Sequence, residues 1–105
     1  MSGITFDLKP VDRIDIIVLA DNYADLILES TETVSRPPKA RDGLVFRDTL
    51  VAEHGLSLLV RATRGEETRE ILFDAGYSSV GVPHNMYILG LSLEPVEAVV
   101  RSHGS

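Results

Sequence analysis

The chain has 105 residues and a mass of 11.5 kDa, which fits one domain over residues 1–105. It carries 10 Lys and Arg against 16 Asp and Glu, and the formal charge of −6 argues against nucleic-acid binding, because phosphate contacts need clustered cations. There is no cysteine, which excludes disulfides, thiol nucleophiles and Cys-ligated metal sites.

The first predicted strand spans Ile14 to Ala20, a short run rich in β-branched residues. Its nearly continuous apolar character is typical of a buried strand. Residues 23–29 are apolar with mixed period and predict a loop or a short helical turn. Residues 30–48 hold two prolines and a glycine within a charged stretch, so we predict a long loop. Such loops are lids, binding loops or plain solvated segments, and the sequence leaves these readings open.

A β-hairpin is predicted between Gly55 and Gly76. Apolar residues alternate along its first strand, which runs to Thr63, and a polar turn with a glycine follows at residues 64–67. The second strand begins at Glu70. Two strand-like runs joined by a short polar turn are the strongest local signal in this sequence.

A helix is predicted over residues 78–91, followed by a strand from Val96 to Val100. Apolar side chains recur at helical spacing and would face a sheet, and Gly90 suits the helix end. These apolar residues are Val82, Met86, Leu89 and Leu93. A strand–helix–strand unit of this length lays its two strands parallel. The predicted fold class is therefore α+β or α/β, a mixed β-sheet with a helix on one face.

Apolar runs in the sequence all fall short of the ~20 residues that a membrane-spanning helix needs. The first ten residues also lack the basic flank and apolar stretch of a secretory signal. We therefore expect a cytoplasmic protein that does not contact a membrane.

Three segments together carry a family resemblance. They are residues 52–60 (AEHGLSLLV), 71–76 (ILFDAG) and 96–104 (VEAVVRSHG), and residues 19–22 (LADN) fit the same pattern. In this order and at these separations they resemble the N-terminal part of metallo-β-lactamase-fold hydrolases. Within that family, the branch that they resemble is the one related to dihydropterin-type phosphate synthases. The resemblance covers the chain from about residue 12 onward and implies half of an αββα sandwich.

In that family the last of these strands leads into a His-x-His-x-Asp-His loop, which binds a dinuclear metal site. The resemblance implies that His103 matches the first histidine, whereas Ser105 stands where the second belongs. Asp74 matches the aspartate of the family's Phe-Asp-x-Gly pattern, which supports the metal loop. Asn22 is the second implied supporting residue. Arg101 departs from the family, which has an apolar or small residue there.

A hydrolytic metal site needs several convergent ligands and an open position for water. The resemblance implies zinc, or iron, for the intact family. We expect no cofactor in this chain and assign no catalytic residue, because one imidazole cannot hold such a site. His103 is then the remnant of a metal site. Taken without the resemblance, a histidine at this position is usually solvated, and Asp74 serves equally well as a turn cap.

Two functions stay open at this point. The first is an inactive N-terminal portion of a metal-dependent hydrolase, truncated inside its metal motif. The second is a complete, non-catalytic α/β module for binding or assembly. Both leave apolar sheet surface and an unpaired final strand, Val96 to Val100, exposed. We therefore expect a homo-oligomer that forms through a sheet edge or a sheet face.

Overall fold

The computed structural model describes residues 9–24, 28–38, 40–41, 44–45, 49–76 and 80–102. The elements in these ranges are β1 (Arg13–Ala20), β2 (Ala40–Arg41), β3 (Leu44–Val45), β4 (Ser57–Arg64), β5 (Glu67–Phe73), α1 (Gly81–Leu89) and β6 (Val96–Val100). Within the same ranges, no helix has the length and apolar character needed to cross a membrane.

Four strands form one sheet in the order β1-β4-β5-β6. β4 runs antiparallel to both β1 and β5, whereas β6 runs parallel to β5, to which it is connected through α1. The predicted mixed sheet with a helix is therefore confirmed. β6 has the predicted bounds and lies at the edge of the sheet.

The hairpin between β4 and β5 is also confirmed, and its turn is tighter than predicted. Arg64 pairs with Glu67, so only Gly65 and Glu66 connect the strands. Gly65 has φ +60°, as the first central residue of a type II′ turn requires. Its N–H donates to Oδ2 of Asp12 at 2.6 Å, which ties the turn to the residue before β1.

One face of the sheet, the helix-side face, packs against α1. The buried apolar core consists of Leu19 and Ala20 of β1, Leu59 of β4, Leu72 of β5, and Val82 and Met86 of α1. Leu89 packs against this core, as its helical spacing predicts. Leu93 lies beyond the helix and is half exposed, so its predicted place on the helix face is wrong.

The other face, the open face, is apolar and is not covered by any element in the described part of the chain. It consists of Ile14, Ile16, Val18, Leu58, Val60, Ala62, Ile71, Phe73, Ala98 and Val100. The prediction that β1 is a buried strand is wrong for this face. Ile16 is 61% exposed, because β1 is an edge strand and α1 covers only its other face.

Charged residues lie at the hairpin end of the open face and form a charged corner. Arg69 forms ion pairs with Glu67 and with Glu97 of β6, each at 2.6 Å. The hydrogen bonds to Glu67 and Glu97 raise the pKa of Arg69 above its ordinary value. The guanidinium therefore stays charged and offsets part of the negative charge of the two glutamates.

The helix and the long loop differ from their predictions. α1 spans Gly81–Leu89 rather than the predicted 78–91, and it is capped at its C-terminal end by Gly90, which has φ +70° and was predicted to suit a helix end. The predicted loop at residues 30–48 is wrong for β2 and β3, which pair antiparallel inside it. The Asp42-Gly43 dipeptide between them is a common hairpin connection, a signal that outweighs the nearby prolines.

Candidate functional site

Four chain segments meet at one end of the four-stranded sheet, here called the loop edge. β1, β5 and β6 end there and β4 begins there, because β4 runs opposite to the other three strands. The loop edge comprises residues 21–22, 53–56, 74–76 and 101–102. In α/β sheets the carboxyl ends of parallel strands are where ligands commonly bind. This end of the sheet is therefore the candidate functional site.

Backbone hydrogen bonds tie the chain segments of the loop edge to one another. The N–H of Glu53 donates to the carbonyl oxygen of Asp21 at 3.0 Å. The N–H of Gly76 donates to the carbonyl oxygen of Leu56, also at 3.0 Å. Neighbouring loops are thus fixed by main-chain contacts, and their side chains project from a defined backbone.

Asp74 links the end of β5 to the end of β6. It is the one described residue other than glycine with positive φ, at +57°, a conformation that Asp tolerates better than most side chains. Its N–H donates to the carbonyl oxygen of Val100 at 2.8 Å. Its Oδ1 accepts a hydrogen bond from the N–H of Ser102, also at 2.8 Å. The Asp74 carboxylate therefore holds the chain immediately after β6.

Substitutions at Asp74 separate its backbone role from its side-chain role. We expect Asp74→Asn to keep the Ser102 amide protected from hydrogen exchange, because the amide oxygen still accepts and Asn tolerates positive φ. Asp74→Gly relieves the backbone but removes the acceptor, so the Ser102 amide should exchange about tenfold faster. The check is amide exchange measured by NMR. Equal exchange rates in the Asn and Gly variants would contradict this role.

The other residues suggested by sequence occupy different positions. Asn22 lies in the loop after β1, where its N–H donates to Oδ1 of Asp21 at 2.7 Å. His103, the candidate remnant ligand, lies outside the described residues and follows Ser102 in the sequence. The structure therefore places Asp74 beside the segment that leads to His103 and leaves the relation of His103 to Asn22 as a prediction.

An open depression of about 300 Å³ lies at the β1–β4 side of the loop edge. Its lining comprises Asp21, Asn22, His54, Gly55 and Leu56. β4 begins at Ser57, so His54 lies in the segment that precedes this strand. Across the described ranges, no three His, Cys, Asp or Glu side chains come together in a way that could hold a metal ion. The described residues therefore do not form a complete metal site.

Glu53, which sequence reasoning did not single out, lies against the start of α1. A Cβ atom built on Gly81, the first residue of α1, would overlap the Glu53 carboxyl group. The first turn of α1 carries no acidic residue of its own, so Glu53 supplies negative charge from another part of the chain. A carboxylate at this end interacts favourably with the helix dipole.

Gly76 is placed where this packing leaves no room for a side chain. A Cβ there would lie 2.9 Å from Cγ2 of Val82, and the residue has φ +76°. Gly65 has φ +60° but no atom within 4 Å of such a Cβ. The two glycines thus share a backbone conformation and differ in crowding.

We expect Gly65→Ala to lower the free energy of unfolding by about 1 kcal/mol, the cost of positive φ alone. Gly76→Ala should cost about 2–3 kcal/mol, because the new methyl also displaces Val82. Urea unfolding followed by circular dichroism measures both values. If the two variants lose the same free energy of unfolding, the crowding of Gly76 against α1 does not add to the cost of the substitution.

Two further residues of α1 hold the segment that precedes β4. Asn85 is buried, and its Nδ2 donates to the carbonyl oxygens of Leu19 at 2.8 Å and of Val51 at 2.9 Å. Its Oδ1 accepts from the N–H of Val51 at 2.9 Å. Nε2 of His84 donates to the carbonyl oxygen of Thr49 at 2.8 Å. His84 is thus a structural residue, in agreement with its position in the first turn of a helix.

Comparisons with protein-family models, with curated proteins and with solved structures found no match to this chain. Its function therefore has to be argued from its own residues and geometry.

Proposed function

We propose that the chain is the N-terminal portion of a metal-dependent hydrolase of the metallo-β-lactamase superfamily. The observation that carries the proposal is the hydrogen bond from the N–H of Ser102 to Oδ1 of Asp74. Asp74 is the aspartate of the Phe-Asp-x-Gly pattern, and Ser102 immediately precedes His103, the first position of the metal motif. A residue that supports the metal loop of this family would act in this way.

The sheet offers a second line of support. In an αββα sandwich each sheet has helices on its outer face, and the two inner faces pack together. Here α1 covers one face, while the open face is apolar across all four strands. We therefore propose that the finer architecture is half of such a sandwich.

We also propose that the protein is cytoplasmic.

The chemistry available to the 105-residue chain is narrower than that of the family. The intact family supplies zinc or iron and hydrolyses esters, amides or phosphoesters through metal-bound hydroxide. The described residues do not bring three ligands together, so no catalytic step is assigned to them. Their role is structural. Asp74 fixes the chain segment that leads to His103. Asn85 fixes the start of the loop before β4. We expect this chain alone to be inactive.

The proposal is tested by the mass and metal content of the native gene product. We expect a protein longer than 105 residues that begins with this sequence, contains zinc or iron and hydrolyses a phosphodiester or a lactone. A native product that ends at Ser105 and carries no metal would refute the hydrolase assignment. Stoichiometric metal and hydrolytic activity in the 105-residue chain itself would refute the expectation that its site is incomplete.

The alternative is a non-catalytic module for binding or assembly. The observation that favours it is the open face, because apolar surface of this extent is typical of interaction sites. A product that ends at Ser105, free of metal and stably folded, would support this module.

A further inference from the structure

We draw no further inference here: the strongest candidate, the apolar open face of the four-stranded sheet, carries none, because nothing in the described part of the chain shows what covers it and the proposed function already assigns it to the second sheet of an intact sandwich.

Discussion

Replacing Leu59 by alanine is expected to lower the free energy of unfolding by about 3–5 kcal/mol, the range observed for Leu→Ala in well-packed cores. Leu59 is fully buried on β4, a central strand of the sheet, and it belongs to the cluster that joins the sheet to α1. The substitution removes apolar contacts and leaves a cavity that rigid strands on both sides cannot fill. Small domains have only about 5–15 kcal/mol of stability, so this loss brings the chain close to unfolding.

The measurement is urea unfolding followed by circular dichroism, at one fixed protein concentration because association adds to apparent stability. Leu93→Ala is the control: it removes the same atoms from a side chain that is half exposed and outside the core. We expect a change within about 0.5 kcal/mol for this variant. Similar losses at the two positions would mean that the core between the sheet and α1 is not where stability is concentrated.

Replacing Asn85 by leucine is expected to cost about 2–3 kcal/mol, although leucine has a similar volume and would suit an apolar site. The reason is that three main-chain groups lose their partner, namely the carbonyl oxygens of Leu19 and Val51 and the N–H of Val51. An unsatisfied buried group costs about 1–3 kcal/mol. Val51 is 41% exposed and regains water, which limits the total. Urea unfolding gives the energy, and faster exchange of the Val51 amide locates the change.

Asn85→Asp provides a sharper version of the same test. Its carboxylate can still accept from the Val51 N–H, but it faces two carbonyl oxygens to which it cannot donate. We expect it to be less stable than Asn85→Leu at neutral pH and to recover relative to the wild type as the pH falls. Recovery follows because the native state then binds a proton that the unfolded state binds less tightly. Asn22→Leu, at an exposed asparagine, is the control and should change little. A pH-independent Asn85→Asp variant would contradict the assigned hydrogen bonds.

The strands and the crossover could be predicted because their signals are local. β-branched runs between polar turn residues mark β4, β5 and β6, and helical spacing of Val82, Met86 and Leu89 marks the face of α1 that packs on the sheet. Gly90 was predicted to suit the helix end, and it caps α1 because positive φ suits glycine, although the predicted helix ran on to residue 91. These choices depend on a few neighbouring residues and need no knowledge of the rest of the chain.

The burial of each face could not be predicted in the same way. Strict alternation along β4 separates Leu58 and Val60 from Leu59 and Arg61, but only the position of α1 decides that Leu59 is the buried one. Glu70 is 6% exposed because Arg61, its cross-strand neighbour, donates to its Oε1 at 2.6 Å. A buried carboxylate is uncommon, and its burial depends on a partner nine positions away along the chain.

In the candidate site, one residue was identified from a sequence motif, whereas two others were revealed only by tertiary contacts. Asp74 was identified through its motif, and the structure adds the contact with Ser102 that the motif alone does not specify. Glu53 and Asn85 were missed because their roles arise from tertiary contacts with α1 and with the ends of strands. Neither residue belongs to a pattern that could be recognised from spacing.

The two-residue turn between β4 and β5 also bears on how the sheet assembles. Their pairing closes the shortest possible loop, whereas β1 reaches β4 across residues 21–56 and β6 reaches β5 across residues 74–95. Contacts between close neighbours in sequence form faster than distant ones, so the hairpin is the natural nucleus to which β1 and β6 are added. The entropy of loop closure grows only logarithmically, by about 0.6 kcal/mol for each doubling of length. The segment between β1 and β4 can therefore change greatly in length among variants of this chain while the sheet still folds.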